Sequence, residues 1–356
     1  MKIEEIDKNF KIENNLNHND WDNYNVLNEP FEIYGVFYDK GGFRRMDESV
    51  GTALEKYDNY NISILSTHTS GGRVRFSTNS TGIAVYAKVR HPSKFSHIPL
   101  TGSSGFDLYK TIKGKEVYLG TFKPPYDLTN YYDAVVRFED DTYNTITINF
   151  PPYCGVEELY IGVDKGSKIG KPLTSYIDKK PIVYYGSSIT QGGCASRPGN
   201  IYQNFICRET NCDYINLGFS GGAKAEDVVI DYIKKLDMSI FVYDYDYNAP
   251  NAEYLEKTHQ KMFDEIRKVH PDIPIIMLSI PTLNVTKVIK DRRKVIKKTY
   301  DTAIKNGDKN VYFISGQQLL KYSKDNFSVD GVHPNDLGFY SMGKVLGKLI
   351  NKILKD

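Results

Sequence analysis

The sequence changes character near residues 179–181, Lys-Lys-Pro, and this change constrains the fold more than any other feature. Before it, short segments rich in β-branched and aromatic residues are separated by Gly, Pro, Asn, Asp and Ser. After it, continuous apolar segments alternate with amphipathic helical stretches. At 356 residues, the chain is long enough for about two domains. We therefore predict a first domain at residues 1–178 and a second at residues 179–356.

The first half has the pattern of an antiparallel β-sandwich. Residues 145–150 alternate Thr or Asn with Ile or Phe, which is typical of a half-buried strand. Many short strands with little helical periodicity favour two packed sheets. Residues 62–66 are predicted to form one of these strands. The polar residues 13–28 are predicted to be a leader or a loop.

The second half has the pattern of a parallel α/β sheet, because its apolar strands look buried on both faces and alternate with helices. The predicted strands are residues 182–185, 214–217, 240–243, 273–280 and 311–314. In such sheets, ligands bind beyond the carboxyl ends of the strands. The loops that follow these strands are therefore the place to look for functional residues.

Composition and charge exclude several classes of function. Lys+Arg 46 against Asp+Glu 44 gives a net charge of +2, too weak a field for nucleic acid as the main partner. No apolar segment approaches the ~18 residues that cross a bilayer. The charged N-terminus lacks the apolar core of a secretory signal, so we expect a cytoplasmic protein without a membrane partner.

The cysteines and histidines show no metal-binding pattern. The cysteines have neither CxxC nor zinc-site spacing, so reduced thiols are expected. They are Cys154, Cys194, Cys207 and Cys212. His91 and His97 are expected to be solvated, and no cofactor-binding motif is found. We therefore predict neither a metal site nor a cofactor.

Three loops after strands carry polar residues of interest. Residues 186–190, Gly-Ser-Ser-Ile-Thr, place a serine at a strand-to-helix turn, where its hydroxyl can be exposed. Residues 216–222 contain glycines that let the backbone present an N–H group to a ligand. Asn248, in residues 244–250, has a side-chain amide that can donate a hydrogen bond. Each of the three, taken alone, is better explained as an ordinary turn.

A fourth loop favours a functional interpretation of these loops over ordinary turns. Asp330 and His333 stand three residues apart in residues 330–334, Asp-Gly-Val-His-Pro, after the fifth predicted strand. A carboxylate can hold an imidazole in one tautomer while the other ring nitrogen takes a proton from a serine. An Asx-type turn with a surface histidine would explain this loop only if the other three loops were unremarkable.

Together, the four loops resemble the sequence blocks of the SGNH/GDSL-type hydrolase superfamily, over roughly residues 180–354. The resemblance implies a flavodoxin-like three-layer α/β/α domain. It implies that Ser188 is the nucleophile, with Asp330 and His333 completing a catalytic triad. The backbone N–H groups of Ser188 and Gly221 and the amide of Asn248 would form the oxyanion hole. The β-rich first half is similar to the jelly-roll-like domain of a bacterial two-domain branch of this superfamily.

Two departures from the family pattern affect what is expected of the pocket. Ser187 occupies the place of the usual Asp of the first block, which leaves the nucleophile intact. Asp246 and Tyr247 precede Asn248 where smaller residues are usual, and they are expected to narrow or reshape the substrate pocket. Arg197, just past the predicted nucleophile, is a candidate substrate-binding residue, although a surface or helix-capping role fits it about as well.

The leading hypothesis is a serine ester hydrolase that removes short acyl groups, with O-acetyl groups on a sugar or oligosaccharide as the substrate. One alternative is a lipase or thioesterase acting on longer acyl chains. Another is a carbohydrate-binding protein with a silent hydrolase site. The β-sandwich has three roles open to it: completing the pocket, positioning a polymer, or mediating assembly into a homo-oligomer.

Overall fold

The computed structural model describes residues 3–57 and 59–355. Met1, Lys2 and Asp58 of the first predicted domain, and Asp356 of the second, lie outside the described residues.

The first half is built from antiparallel strands that form two larger sheets and a small ribbon. Its strands are β1 Trp21–Asn25, β2 Glu32–Tyr34, β3 Phe37–Asp39, β4 Gly42–Arg44, β5 Arg73–Thr78, β6 Gly82–Arg90, β7 Phe106–Ile112, β8 Lys115–Phe122, β9 Tyr131–Arg137, β10 Asn144–Asn149, β11 Gly155–Asp164 and β12 Ile169–Gly170. One sheet has the order β1-β11-β6-β9. The other has the order β12-β5-β10-β7-β8, with β2 pairing to β5, while β3 and β4 form the ribbon.

The two larger sheets share one apolar core. Side chains such as Val74, Ile148 and Phe106 from one sheet and Val85 and Ile161 from the other belong to a single buried cluster. The alternation predicted at residues 145–150 places Ile146 and Ile148 in this core, but the strand is not half-buried. Its polar residues are also at most 3% exposed, so β10 is buried on both faces: Thr145, Thr147 and Asn149. The predicted antiparallel β-sandwich is confirmed.

Two local predictions for this half are wrong. Residues 62–66 lie within and just after a helix, Asn61–Leu65, rather than in a strand. This helix buries Ile62 and leaves Ile64 51% exposed, so its apolar residues serve helical packing. The polar residues 13–28 contain strand β1, whose Trp21 is buried and whose backbone pairs with β11. Pairing to a sheet edge is a tertiary contact that the polar composition hides.

The second half is a parallel sheet covered by helices. Its strands are β13 Ile182–Gly186, β14 Tyr214–Gly218, β15 Ile240–Asp244, β16 Ile275–Leu278 and β17 Val311–Ile314. Their order is β14-β13-β15-β16-β17, all parallel. This order, 2-1-3-4-5 within the half, is that of flavodoxin-like sheets. The predicted α/β fold is therefore confirmed.

Helices pack on both faces of the parallel sheet, and they bury separate apolar clusters on its two sides. The α-helices of the chain are α1 Ile3–Ile6, α2 Glu48–Leu54, α3 Asn61–Leu65, α4 Leu100–Ser103, α5 Ser188–Gln191, α6 Tyr202–Thr210, α7 Asp227–Ile233, α8 Ala252–Val269, α9 Lys287–Lys305, α10 Gly316–Leu319 and α11 Asp336–Lys355. Short 3-10 helices lie at Lys8–Phe10, His18–Asp20, Glu55–Tyr57, Pro198–Asn200 and Lys324–Phe327. In the described residues, no helix is both long enough and apolar enough to cross a membrane.

A buried arginine of the β-rich half joins the two halves. Arg45 is 2% exposed and donates to the carbonyl oxygens of Asn216 (3.0 Å) and Gly218 (2.6 Å) at the end of β14. It also donates to the carbonyls of Leu65 (2.6 Å) and His68 (2.7 Å) in its own half. One guanidinium thus ties a loop of the sandwich to the end of a strand of the parallel sheet.

Further polar contacts reinforce this junction. Arg73 donates to the Asp213 carboxylate (2.6 Å) and to the Tyr214 carbonyl (2.9 Å). Asn59 donates to the carbonyl of Gly222 (2.8 Å). These partners flank both ends of β14, so the β-rich half braces the strand and the loop that follows it.

Candidate active site

Ser188 lies at the tight junction between β13 and α5. The Ser187 hydroxyl caps α5 by accepting a hydrogen bond from the Ile189 N–H (3.2 Å). A Cβ at Gly186 would overlap the Asp244 carboxylate, so only glycine fits where the ends of β13 and β15 meet the helix. Asp244 also accepts a hydrogen bond from Thr190 of α5. Burial raises the pKa of Asp244 to about 8.

Ser188, His333 and Asp330 are in hydrogen-bonding contact. The Ser188 Oγ lies 2.9 Å from the His333 Nε2. The His333 Nδ1 lies 2.6 Å from the Asp330 Oδ2. Because Asp330 accepts at Nδ1, the imidazole is held with its Nε2 lone pair directed towards the serine. This arrangement can remove a proton from the Ser188 hydroxyl.

The turn at residues 330–333 is organised by one carboxylate. The other oxygen of Asp330 accepts from the backbone N–H groups of Val332 (2.9 Å) and His333 (2.8 Å). Gly331 allows this turn because its φ of +87° lies in the left-handed region. Partial burial would raise the pKa of Asp330, but the bonds from His333 and the two N–H groups outweigh it and lower the pKa to about 2. Asp330 is therefore ionised at neutral pH.

The residues expected to form the oxyanion hole lie on the loops after β13, β14 and β15. The Asn248 Nδ2 donates to the Phe219 carbonyl (2.9 Å), which ties the third loop to the second and leaves one amide hydrogen free. Gly221 is exposed at φ +68°, with open space where a Cβ would be. Among the backbone hydrogen bonds that residues 3–57 and 59–355 make outside helices and strands, none is donated by the N–H groups of Ser188 and Gly221. These donors can therefore receive a developing negative charge.

Gln191, which the sequence analysis did not single out, fixes the second loop. Its Oε1 accepts from the Ser220 N–H (2.9 Å), and its Nε2 donates to the Pro152 carbonyl (3.0 Å). The Nε2 also lies 3.3 Å from the His68 Nδ1. The side chain thus joins the end of the Ser188 helix, the loop before Gly221 and the β-rich half. Its position three residues after Ser188, directly beyond the loop 186–190, was the one signal that could have pointed to it.

A groove beside His333 is formed mainly by the β-rich half. It has a volume of about 700 Å³ and is lined by residues 94–100, Tyr126 and Val329. The ring centres of His97 and His333 are 6.1 Å apart, which places the groove next to the histidine of the site. Phe95 and Tyr126 are 38% and 80% exposed, so they offer aromatic surface at this groove.

Asp246 and Tyr247 have different surroundings. Asp246 is 2% exposed and accepts from the Ile280 N–H (3.1 Å), so its carboxylate lies in the interior behind the third loop. Arg292 donates to the backbone carbonyls of Asp246 and Ala249 (2.8 Å for Ala249), which holds the same loop. Tyr247 is 42% exposed. Asp246 can affect a pocket through the shape of the loop, whereas Tyr247 can contact a ligand directly.

Arg197 lies at the junction of the two halves. Its guanidinium donates to the buried Asp107 carboxylate (2.7 Å) and to the Tyr109 hydroxyl, and it stacks on the Tyr118 ring at 3.9 Å. Asp107 also accepts from the Gly199 N–H (2.8 Å). These contacts engage Arg197 in joining the halves, which is neither of the roles considered from the sequence.

Three groups that can ligate a metal ion meet at the edge of the site. Ligand atoms of His97, Cys194 and His333 all lie within 4.8 Å of one another. His97 is exposed and Cys194 is 4% exposed. The three residues are far apart in the sequence, so the absence of zinc-site spacing gave no indication of this cluster. All four cysteines are free thiols.

Comparison with known families accounts for both halves. Residues 179–351 match the GDSL-like lipase/acylhydrolase family. Residues 20–169 match the N-terminal domain of SGNH-hydrolase-type esterases, whose GxDLY signature stands here at residues 105–109 and includes Asp107 and Tyr109. No curated protein sequence matches the chain.

Solved structures share the two-part architecture. A protein from Bacteroides ovatus described as a GDSL-like lipase is 28% identical with a TM-score of 0.80, covering 94% of this chain and 98% of that one. A salicylyl-acyltransferase from a tetracycline biosynthetic pathway is 16% identical with a TM-score of 0.74, and a family two carbohydrate esterase from Cellvibrio japonicus is 10% identical with a TM-score of 0.62. Each again covers 94% of this chain and 98% of its own. The chain therefore belongs to the SGNH/GDSL-type hydrolase superfamily, in its two-domain branch with an N-terminal β-sandwich, and it is an esterase.

Proposed function

We propose that this protein is a serine esterase that removes short acyl groups, with O-acetyl esters of carbohydrates as its substrates. The observation that carries the proposal is the continuous contact from Ser188 to His333 (2.9 Å) and from His333 to Asp330 (2.6 Å). A nucleophile, a base and a group that orients the base are the parts that acyl transfer requires.

In the proposed mechanism, the Ser188 Oγ attacks the ester carbonyl while the His333 Nε2 takes its proton. The tetrahedral intermediate then expels the alcohol, which receives that proton from His333. A water molecule attacks the acyl-enzyme with His333 again acting as base, and the acid leaves as Ser188 is restored. Asp330 stays ionised throughout, because its pKa is lowered to about 2, and its negative charge stabilises the imidazolium.

The negative charge of each tetrahedral intermediate is assigned to three donors. They are the N–H groups of Ser188 and Gly221 and the free hydrogen of the Asn248 amide. The Asn248–Phe219 hydrogen bond and the Gln191–Ser220 hydrogen bond hold the loops before any substrate arrives. Donors fixed in advance stabilise an oxyanion without reorganisation during the reaction.

The groove beside His333 is proposed to hold the alcohol part of the ester. His333 delivers a proton to the leaving alcohol, so that alcohol must lie on the His333 side of Ser188. The exposed rings of Phe95 and Tyr126 offer flat apolar surfaces, which suit the apolar faces of a sugar ring. Structural neighbours that are carbohydrate esterases, including an acetyl xylan esterase from Butyrivibrio proteoclasticus, support the same choice of substrate.

A lipase or thioesterase acting on long acyl chains is the second candidate, and one observation favours it. Ile98, Leu100 and Val329 add aliphatic side chains to the same groove, and an apolar groove next to a catalytic serine can take an alkyl chain. The two candidates differ in the acyl length that gives the highest kcat/KM.

The test is hydrolysis of p-nitrophenyl acetate, butyrate and octanoate, followed by acetylated xylose and acetylated oligosaccharides, by the wild type and Ser188→Ala. We expect the acetate ester to be preferred and Ser188→Ala to lose activity by a factor of about 10⁶ in kcat. A higher kcat/KM for the octanoate ester would favour the lipase or thioesterase over the acetylesterase.

A fluorophosphonate probe separates an enzyme from a silent carbohydrate-binding protein. Labelling of the wild type at Ser188, with none in Ser188→Ala, supports a reactive serine. A folded wild-type protein that is neither labelled nor active on any of these esters would contradict the proposal.

A further inference from the structure

We propose that His97, Cys194 and His333 form a binding site for Zn²⁺ or a similarly soft divalent cation, and that the bound cation switches the esterase off. The site rests on the cluster of ligand atoms within 4.8 Å. The switch rests in addition on the proposed role of His333 as the catalytic base. Neither family match assigns a metal to these residues.

The donor set suits Zn²⁺ and not Mg²⁺ or Ca²⁺. Two imidazoles and a thiolate are soft or intermediate ligands, whereas Mg²⁺ and Ca²⁺ prefer oxygen. In a tetrahedral zinc site, neighbouring nitrogen and sulfur ligands lie about 3.3–3.6 Å apart. The cluster spans up to 4.8 Å, so its atoms must close by about 1 Å. The exposed His97 side chain has the freedom to make this movement.

His333 is already held as a metal-binding histidine is held. Its Nδ1 donates to the Asp330 carboxylate (2.6 Å), which leaves the Nε2 lone pair as the ring's acceptor, 2.9 Å from the Ser188 hydroxyl that a cation would displace. Histidine ligands of zinc commonly donate their second nitrogen to a carboxylate in this way, which orients the ring and makes the ligating nitrogen more basic. The geometry that prepares His333 to take a proton therefore also prepares it to take a cation.

The surroundings of Cys194 fix its thiol at the edge of the site. Cys194 is 4% exposed and packs with Ile98 and Tyr153 in a small apolar cluster. Its φ of +74° lies in the left-handed region, which a residue with a Cβ seldom adopts. Such backbone conformations are concentrated at functional sites. His97, the other residue of the cluster outside the proposed triad, is exposed to solvent.

Binding would block catalysis directly. The cation forms coordinate bonds with one nitrogen of His97, with the Cys194 Sγ and with the His333 Nε2, and the thiol proton is released to solvent. The Nε2 lone pair then belongs to the metal and is unavailable to the Ser188 hydroxyl. Hydrolysis stops until a chelator or a lower metal concentration frees His333.

The experiment measures binding and inhibition separately on the whole protein. Co²⁺ serves as the spectroscopic probe, because a cysteine thiolate bound to Co²⁺ gives a near-ultraviolet charge-transfer band. Zn²⁺ affinity is measured by calorimetry. Inhibition of p-nitrophenyl acetate hydrolysis is measured with added Zn²⁺, with added Mg²⁺ and after EDTA, as the ratio to the metal-free rate of each variant.

We expect the wild type to show the charge-transfer band and to be inhibited by Zn²⁺, reversibly, but not by Mg²⁺. Cys194→Gly should lose the charge-transfer band. Glycine is the replacement chosen because it adopts the positive φ of this position without strain. His97→Gln should weaken Zn²⁺ binding and inhibition at least about tenfold. His91→Gln removes an exposed histidine six positions earlier and should bind Zn²⁺ as the wild type does.

Two results would overturn the proposal in distinguishable ways. A wild type without the band, or Zn²⁺ affinity unchanged in Cys194→Gly and His97→Gln, removes the metal site whatever the enzyme's activity. If the metal binds as expected but hydrolysis is unchanged, the metal site is supported. The proposed inhibition is then wrong, and the role of His333 as the catalytic base is contradicted.

Discussion

Ser188 and the Asp330–His333 pair are positioned by opposite means. Ser188 is 5% exposed. Its helix, α5, is fixed by two contacts: Thr190 donates to Asp244, and the Gln191 side chain accepts from the Ser220 N–H. Asp330 and His333 lie in an exposed turn at 34% and 25% side-chain exposure, and that turn is organised by hydrogen bonds to a single carboxylate.

This difference predicts how each side of the site responds to change. The Ser188 side depends on the packing of the parallel sheet and on the β-rich half, so distant substitutions reach it. The turn that carries His333 depends on its own residues, so only a local substitution disturbs it. The site therefore joins a part built by the whole fold to a part built within residues 328–334.

Among substitutions outside the nucleophile, Asp330→Asn should have the largest effect, because Asp330 both orients His333 and accepts from two N–H groups of the turn. The amide can no longer hold the imidazole in the required tautomer or stabilise the imidazolium, so kcat should fall by about 10⁴-fold. The measurement is steady-state hydrolysis of p-nitrophenyl acetate. Asp325→Asn, an exposed acid of the preceding 3-10 helix, is the control and should keep wild-type activity.

Asn248→Ala should reduce kcat by about 10²–10³-fold, since it removes one of the three proposed oxyanion donors and leaves two. KM should change much less than kcat, because the lost interaction forms in the transition state. Similar mild losses in Asn248→Ala and Ser188→Ala would contradict both assignments.

Arg45→Met tests whether the β-rich half supports the Ser188 side. It leaves buried carbonyls, including those of Asn216 and Gly218, without their donor, which should lower the free energy of unfolding by about 1–3 kcal/mol. Chemical denaturation measures this change. Arg137→Met, at a side chain that is 60% exposed, should stay within about 0.5 kcal/mol of the wild type. Equal changes in the free energy of unfolding for the two substitutions would show that Arg45 does not stabilise the junction.

Asp244→Asn should alter the pH dependence of stability with little change in fold. The pKa of Asp244 is about 8 when folded against a reference of 3.8, so the folded state holds this proton more tightly. Its stabilising contribution is complete below about pH 4 and is lost as the pH rises towards 8. The wild-type Tm should therefore fall more steeply than that of Asp244→Asn over this range.

A parallel pH profile for the two proteins would show that Asp244 is not the group responsible. A residual slope in Asp244→Asn is expected, because burial also raises the pKa of Asp246, to about 6.

The sequence was sufficient to predict the features of the fold and of the candidate site that depend on neighbouring residues in the chain. The alternation of apolar strands and helices predicted the parallel sheet, and the loops after its strands were predicted to carry Ser188, Asn248 and the Asp330–His333 pair. These loops meet because the carboxyl ends of parallel strands lie along one edge of the sheet. The structure brings Ser188, His333 and Asp330 into contact, as the family resemblance implied.

The sequence was insufficient where a contact depends on how the two halves pack. Arg45 reaches β14 from more than 170 positions away in the chain. Arg197 donates to Asp107 and Tyr109, which no pattern in the sequence places beside it. His97 and Cys194 likewise become neighbours only after the β-rich half has packed against the site. No periodicity or spacing in the sequence encodes such pairs.

The guanidinium of Arg45 has a consequence for protein engineering. Separating the catalytic half near residue 179 would remove the donor that now holds the carbonyls of Asn216 and Gly218 at the end of β14. A chimaera that exchanged the sandwich for a relative's would need to transfer the arginine together with the loop that receives it. When either half is exchanged, the contacts between the two halves must therefore be exchanged with it.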